Sequence, residues 1–360
     1  MSELSVKLEA ARRALDAAGL GAIRLRGTDW FFWLTGGGSN VVLLAAETGV
    51  AEALVTRDAA WILTNSIEAA RLEAEELPPG FRVFSPDWPD TKAVDEFAAA
   101  QAAGKRVASD RPAPGESALP EELVLAKRTL LPEELERYRL LGREAAEAMR
   151  EALAAAEPGW SEARLAGEGA RALLSRGIEP ALILAGGESR VGKYRHPIPT
   201  VSPLGGRAML VFCARRRGLY ANLTRFVYFR GPSAEERAFM DGAAKVEAAA
   251  LSLSVPGAGL SDMFEKIARA YADLGHPGEH LRHHQGGITG YLSREAVARP
   301  GAAERLAGGM ALAWNPSLPG AKMEDTVFLG ENGLEILTAD AGWPCRETAG
   351  RARPDIWVRK

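Results

Sequence analysis

The amino-acid sequence predicts a two-domain α+β protein, with a smaller α/β domain over residues 1–125 and a larger domain over 126–360. Three observations lead there. The chain has 360 residues, and single domains run to roughly 100–200. Hydrophobic residues make up 47% and charged residues 25%, the balance of a folded chain with a sizeable core. Helix-like and strand-like stretches replace one another along the chain, and a loop-like Ser109-Asp110-Arg111-Pro112-Ala113-Pro114-Gly115 lies near the end of the first part.

In the first domain Leu4, Leu8, Ala11, Leu15 and Ala18 recur at helical spacing, and Gly19-Leu20-Gly21 ends that helix. Apolar runs at Ala22–Leu25, Asn40–Leu44 and Trp61–Thr64 read as strands, and an acidic stretch from Ser66 to Leu77 reads as helix. Gly36-Gly37-Gly38-Ser39 lacks the third glycine of a dinucleotide loop and reads as a turn.

The second domain opens with a helix from Pro132 to about Ala155. Proline suits its first turn, and Glu133 and Glu134 complement the N-terminal dipole. Glu157-Pro158-Gly159 breaks it, and Ser161 can cap a second helix that ends near Arg176-Gly177. Strands follow at Ala181–Ala185, Ala208–Cys213 and Tyr220–Tyr228, then helices at Ala234–Leu253 and Leu260–Leu274. The remainder is strand-like, with turns at Asn315-Pro316 and Glu331-Asn332-Gly333.

Composition excludes several functions. Lys plus Arg number 44 and Asp plus Glu 47, so no basic excess points to nucleic acid or to an anionic membrane. Cys213 and Cys345 are too few for a disulfide framework or a four-thiolate zinc site. No run approaches the roughly 18 apolar residues of a membrane span, and Met1-Ser2-Glu3-Leu4-Ser5 lacks the start of a signal peptide. A cytoplasmic location is the expectation.

The five histidines, His196, His276, His280, His283 and His284, all fall in the second half. His280 through Gly287 is the densest cluster. It carries no HExxH pattern, and its glycines favour a loop or strand end over a helix. Spacing alone leaves a metal site and a hydrogen-bonded structural cluster both open. Ser189 sits in a near-miss of the G-x-S-x-G elbow, broken by Val191. Cys213 lies in an apolar strand, where a thiol is usually inert packing. Arg215-Arg216-Arg217 ends a strand and reads as a solvated tip, or as guanidinium groups that hold a carboxylate.

The order of landmarks resembles the pita-bread family of methionine aminopeptidase, aminopeptidase P, prolidase and creatinase, over essentially the whole chain. Trp33-Leu34-Thr35-Gly36-Gly37 is similar to the creatinase-type N-terminal domain, and Lys127-Arg128 with Pro132-Glu133-Glu134 to the helix opening the catalytic domain. Tyr194-Arg195-His196-Pro197 matches the segment that carries a substrate-side histidine. Gly218 to Arg225 is similar to G-Y-x-x-D-x-T-R, and Gly309-Met310 to Pro316 to G-M-x-x-x-x-E-P. Lys322-Met323-Glu324-Asp325-Thr326 is similar to R-I-E-D-T. The resemblance implies a curved antiparallel sheet flanked by helices, preceded by the smaller α/β domain, and a pocket between the domains and over the sheet.

Active members of that family hold two divalent cations on two aspartates, one histidine and two glutamates. Carried over position by position, these ligands fall on Val211, Asn222, His284, Asn315 and Glu324, so His284 and Glu324 alone are retained. The resemblance further implies catalytic-pocket roles for His196, His280, His284, Tyr291 and Glu324, and substrate-side roles for Asn222, Arg225 and Asn315. Two hard cations want charged oxygen ligands, and asparagine offers a neutral carbonyl while valine offers nothing. The expectation is therefore no cofactor, or at most one weakly bound divalent cation.

The expected function is that of a peptidase relative, Xaa-Pro dipeptidase or aminopeptidase P-like, without its dinuclear centre, that binds a small peptide or amino-acid-like ligand. Creatinase-like, metal-free C–N hydrolysis with His196 as acid/base is the alternative. A non-catalytic protein working through protein contacts, as an expected homodimer, is the third reading.

Overall fold

Ser2 starts the first helix, Glu3–Ala17, by accepting a hydrogen bond from the Ser5 N–H, and Leu8, Ala11, Ala14 and Leu15 bury its inner face. The structure is a computed structural model describing residues 1–359, and it divides after Glu134 into two compact units. In the first unit a mixed six-stranded sheet has the order Arg82–Phe84, Ala60–Leu63, Thr48–Val55, Ala22–Gly27, Val107–Ser109 and Ser117–Ala118. Helix Thr28–Thr35 is buried at every residue and ends at Gly36, whose φ of 72° is the left-handed conformation that the glycine turn supplies. Lys7 is buried beneath it, with Nζ 2.7 Å from the Trp33 carbonyl and 2.7 Å from Glu134 Oε1.

Two expectations for this unit are corrected. Asn40–Leu44 forms no strand. Its chain turns where the Ala46 N–H donates to the Leu43 carbonyl, and Val42, Leu43 and Leu44 are exposed. The strand lies later, at Thr48–Val55, where Gly49 and three alanine or glutamate positions give a weak strand signal. The stretch Ser66–Leu77 is helical only over Ala69–Arg71, which continues as a π turn through Leu72–Glu76.

The second unit is built around two antiparallel arrays. Glu179–Gly187, Arg207–Arg216 and Leu219–Tyr228 lie side by side, with Trp357–Val358 added in parallel at the edge. Arg217 and Gly218, at φ 49° and 80°, make the tight turn between the two longest strands. Arg215 and Arg216 are not a free tip: they pair with Glu179 and Glu144. The second array runs Ala296–Val297, Gly286–Thr289, Ala311–Trp314, Asp325–Gly330 and Gly333–Ile336. A bridge between Thr224 and Glu324 joins the two. Helices Pro132–Ala155, Glu162–Leu174, Ala234–Leu253 and Leu260–Asp273 flank them, giving the helix-flanked antiparallel sheets of the pita-bread fold. No helix among the described residues is long and apolar enough to cross a membrane.

One core cluster takes Val211 and Phe226 from the first array, Met240 and Ala244 from a helix, and Ile288, Leu312 and Trp314 from the second array. Gly286 has φ 103°, and a Cβ there would stand 2.1 Å from the Ala313 carbonyl oxygen, so only glycine lets these strands approach. Behind the sheets lies a buried ionic group. Asp325 takes Arg225 at 2.7 Å and Arg353 at 2.7 Å, and Arg353 also holds Glu247. Removing one partner from such a group leaves uncompensated buried charge. Asp325→Ala, which strands two arginines, should therefore cost about 3–5 kcal/mol in urea-unfolding experiments. A loss under about 1 kcal/mol, the range of exposed pairs, would show that the group is not a stabilising one.

Candidate functional site

Strand alternation decides which side chains meet. Val211 is paired with Thr224 and Cys213 with Asn222, so these four share one face and Arg225 points to the other. Arg225 donates to Asp325 Oδ1 at 2.7 Å and to the Thr338 carbonyl at 3.0 Å. The substrate-side role expected for Arg225 is corrected accordingly: its guanidinium belongs to the buried ionic group. Cys213 keeps its thiol protonated, since burial pushes it up to about 11.

Glu324 occupies the centre of the shared face, fully enclosed. Its Oε2 accepts from Thr224 Oγ1 at 2.7 Å and lies 3.0 Å from Lys322 Nζ. Its Oε1 accepts from the Arg294 guanidinium at 2.9 Å. Burial alone would raise its pKa, but Lys322 and Arg294 outweigh burial and hold the carboxyl well below the usual range. One carboxylate thus faces two internal cations. The local excess of positive charge suits an anionic ligand.

His196, His283 and His284 converge beside this group, their donor nitrogens all within 4.8 Å of one another. His283 is buried, and the other two are exposed. The hydrogen bonds assign tautomers. His283 Nδ1–H donates to the His284 carbonyl, which leaves its Nε2 as an acceptor, 2.8 Å from His196 Nε2. Burial, with Lys322 nearby, pushes His283 down to about 2. Burial and then Arg294 push His284 down to about 4, and His196 is lowered by burial and Lys322. All three are neutral imidazoles near pH 7. A cavity of about 630 Å³ opens at His196, lined also by Lys193, Tyr194, Arg195, Glu279 and Arg282.

The other expected residues are placed as follows. Asn222 is buried; its Nδ2 donates to Thr289 Oγ1 at 3.1 Å and its Oδ1 has no partner. Asn315 is buried, with Oδ1 likewise without a partner. Tyr291 is buried just beyond Gly286–Thr289. His280 stands outside the imidazole group. It lies on the turn Glu279–Leu281 with its ring against Phe264, 5.4 Å between centroids. Lys322, Thr224 and Arg294 were given no role from the sequence, and His283 entered only as a member of the histidine cluster. Lys322 and Thr224 each stand two residues from an expected position, the strand period, whereas Arg294 follows a turn and gave no signal.

Residues 136–331 match the family model described as metallopeptidase family M24. The chain belongs to that family. Among solved structures, the prolidase from Pyrococcus horikoshii is 17% identical, with 92% of this chain and 98% of that one covered and a TM-score of 0.78. The X-Pro aminopeptidase from Thermotoga maritima is 16% identical, covering 98% and 99%, with a TM-score of 0.78. The N-terminal domain of a FACT complex subunit from chickpea is 13% identical, covering 94% and 96%, with a TM-score of 0.72. At these identities the likeness is one of fold: an Xaa-Pro peptidase-like M24 architecture. No curated protein matches the sequence.

Set on this M24 architecture, the five positions expected to carry ligands present a valine, two amides, one imidazole and one carboxylate, and that carboxylate has both oxygens engaged. The histidines give a pH signature. His283 has an ordinary pKa of 6.5 and a folded value of about 2, so below pH 6.5 the unfolded chain binds the extra proton. Stability is present at neutral pH and falls with acidification by up to about 1.4 kcal/mol per pH unit. Urea unfolding of chelator-treated protein at about pH 7, 6 and 5 should show this slope. His283→Gln should remove that group's share of the slope, leaving what His284 and His196 contribute, and an unchanged slope would assign it to other groups.

Proposed function

We propose that this M24-family protein works without a dinuclear metal centre and binds a small peptide or amino-acid-like ligand through the ligand's anionic group. The observation that carries the reading is the clamp on Glu324. Two hard cations at short separation need bridging carboxylates to offset their charge. Here Val211, Asn222 and Asn315 supply none, and the remaining carboxylate is neutralised by Lys322 and Arg294. The same two cations, with the basic lining of the cavity at His196, supply the attraction for a carboxylate.

Xaa-Pro dipeptides incubated with the purified protein should show no hydrolysis that manganese or cobalt restores and a chelator removes. Restored turnover, with about two manganese or cobalt ions bound per chain, overturns the reading. Thermal-shift screening should give hits among free amino acids and dipeptides that vanish for their C-terminal amides, because a ligand preferring the native state stabilises it. Lys322→Met should weaken such hits about tenfold or more, the worth of one ionic hydrogen bond. Equal shifts for acids and amides would remove the carboxylate from the recognition.

A second reading, metal-free C–N hydrolysis, draws on the pairing of His196 with His283, which gives His196 a hydrogen-bonded partner at the cavity. It requires turnover that His196→Ala abolishes and a chelator leaves intact.

A further inference from the structure

We infer that His196, His283 and His284 form a site for one divalent cation of borderline softness, such as zinc, beside the family's carboxylate positions. This goes beyond the reading above, which concerns hard cations on oxygen ligands. Three features carry it. The first is convergence. The three donor nitrogens lie within 4.8 Å of one another, whereas tetrahedral zinc with ~2.0–2.1 Å bonds sets its donors about 3.3 Å apart. His196 and His283 stand 2.8 Å apart at Nε2, so a bound cation replaces their hydrogen bond and parts these two atoms by about half an ångström, while the wider donor pairs close by up to about 1.5 Å. His196 is exposed and lies outside any helix or strand, so it can make that adjustment.

The second feature is orientation. His283 is buried, and its Nδ1–H is fixed on the His284 carbonyl, so the Nε2 lone pair is held toward His196, with the His284 ring stacked alongside. A backbone acceptor on the far nitrogen is how ligating histidines are commonly set. The third is chemistry. An all-imidazole set suits zinc, copper or nickel and not the oxygen-seeking cations. With His196 and His284 both exposed, a fourth position remains open toward solvent and the cavity. Lys322 and Arg294 oppose a dication, and an anion at that fourth position would offset them. The site and metal-free use of His196 as a proton carrier exclude each other, since both need the same Nε2.

The full-length protein, stripped with chelator and then incubated with zinc, should keep about one zinc per chain after desalting, the stoichiometry of a mononuclear site. Cobalt in its place should give the intense visible absorption of four-coordinate nitrogen ligation. His196→Ala, an exposed position whose loss spares the fold, and His283→Gln should each weaken zinc about tenfold or more. Asn222→Ala and Asn315→Ala should leave zinc affinity unchanged. Failure to retain zinc, or retention indifferent to both histidine variants, overturns the site. Loss in the asparagine variants alone also overturns it, because the cation would then sit at the family's own positions.

Discussion

The ion pairs and hydrogen bond around Glu324 join three parts of the second unit. Thr224 reaches it by side chain and by backbone, which couples the long hairpin to the second array. Lys322 precedes it by one strand period, and Arg294 comes from the turn after Gly286–Thr289. A buried carboxylate with no compensation would take up a proton. Here two cations and a hydroxyl keep it charged, and the three histidines beside it stay neutral chiefly through burial, to which the same positive field adds. Burial and one arrangement of charge together set the protonation state of the pocket.

Adjacent residues serve opposite sides of that strand. Glu324 faces the histidines, and Asp325 faces Arg225 and Arg353 behind the sheet. The ionic group behind fixes the backbone on which the pocket carboxylate rides. A substitution behind the sheet would therefore disturb the pocket without touching it, since residues that share one network do not act independently.

Long, strongly periodic elements were legible in the sequence. Pro132–Ala155 and Ala234–Leu253 run between the residues that capping and apolar spacing indicate. The M24 fold was legible too, through motifs in order rather than through any single one. Asn40–Leu44 misled because an apolar run is ambiguous where no neighbouring strand covers it, and Thr48–Val55 was hidden by small residues. Of the residues named by position matching, the structure brings His196, His284 and Glu324 into one neighbourhood. Position matching gave Arg225 a substrate-side role beside Asn222, although residues three apart in one strand point to opposite faces. His283 and Arg294 act through contacts far apart in sequence, at separations of 87 and 30 residues, which no local pattern reports.

Val211 illustrates how such a pocket becomes committed. It is packed with Leu184, Met209 and Phe226 in an apolar cluster and is sealed from solvent. Exchanging that packing for a desolvated, unpaired carboxylate costs several kcal/mol. The strand therefore requires an apolar side chain at this position, independently of what the pocket binds.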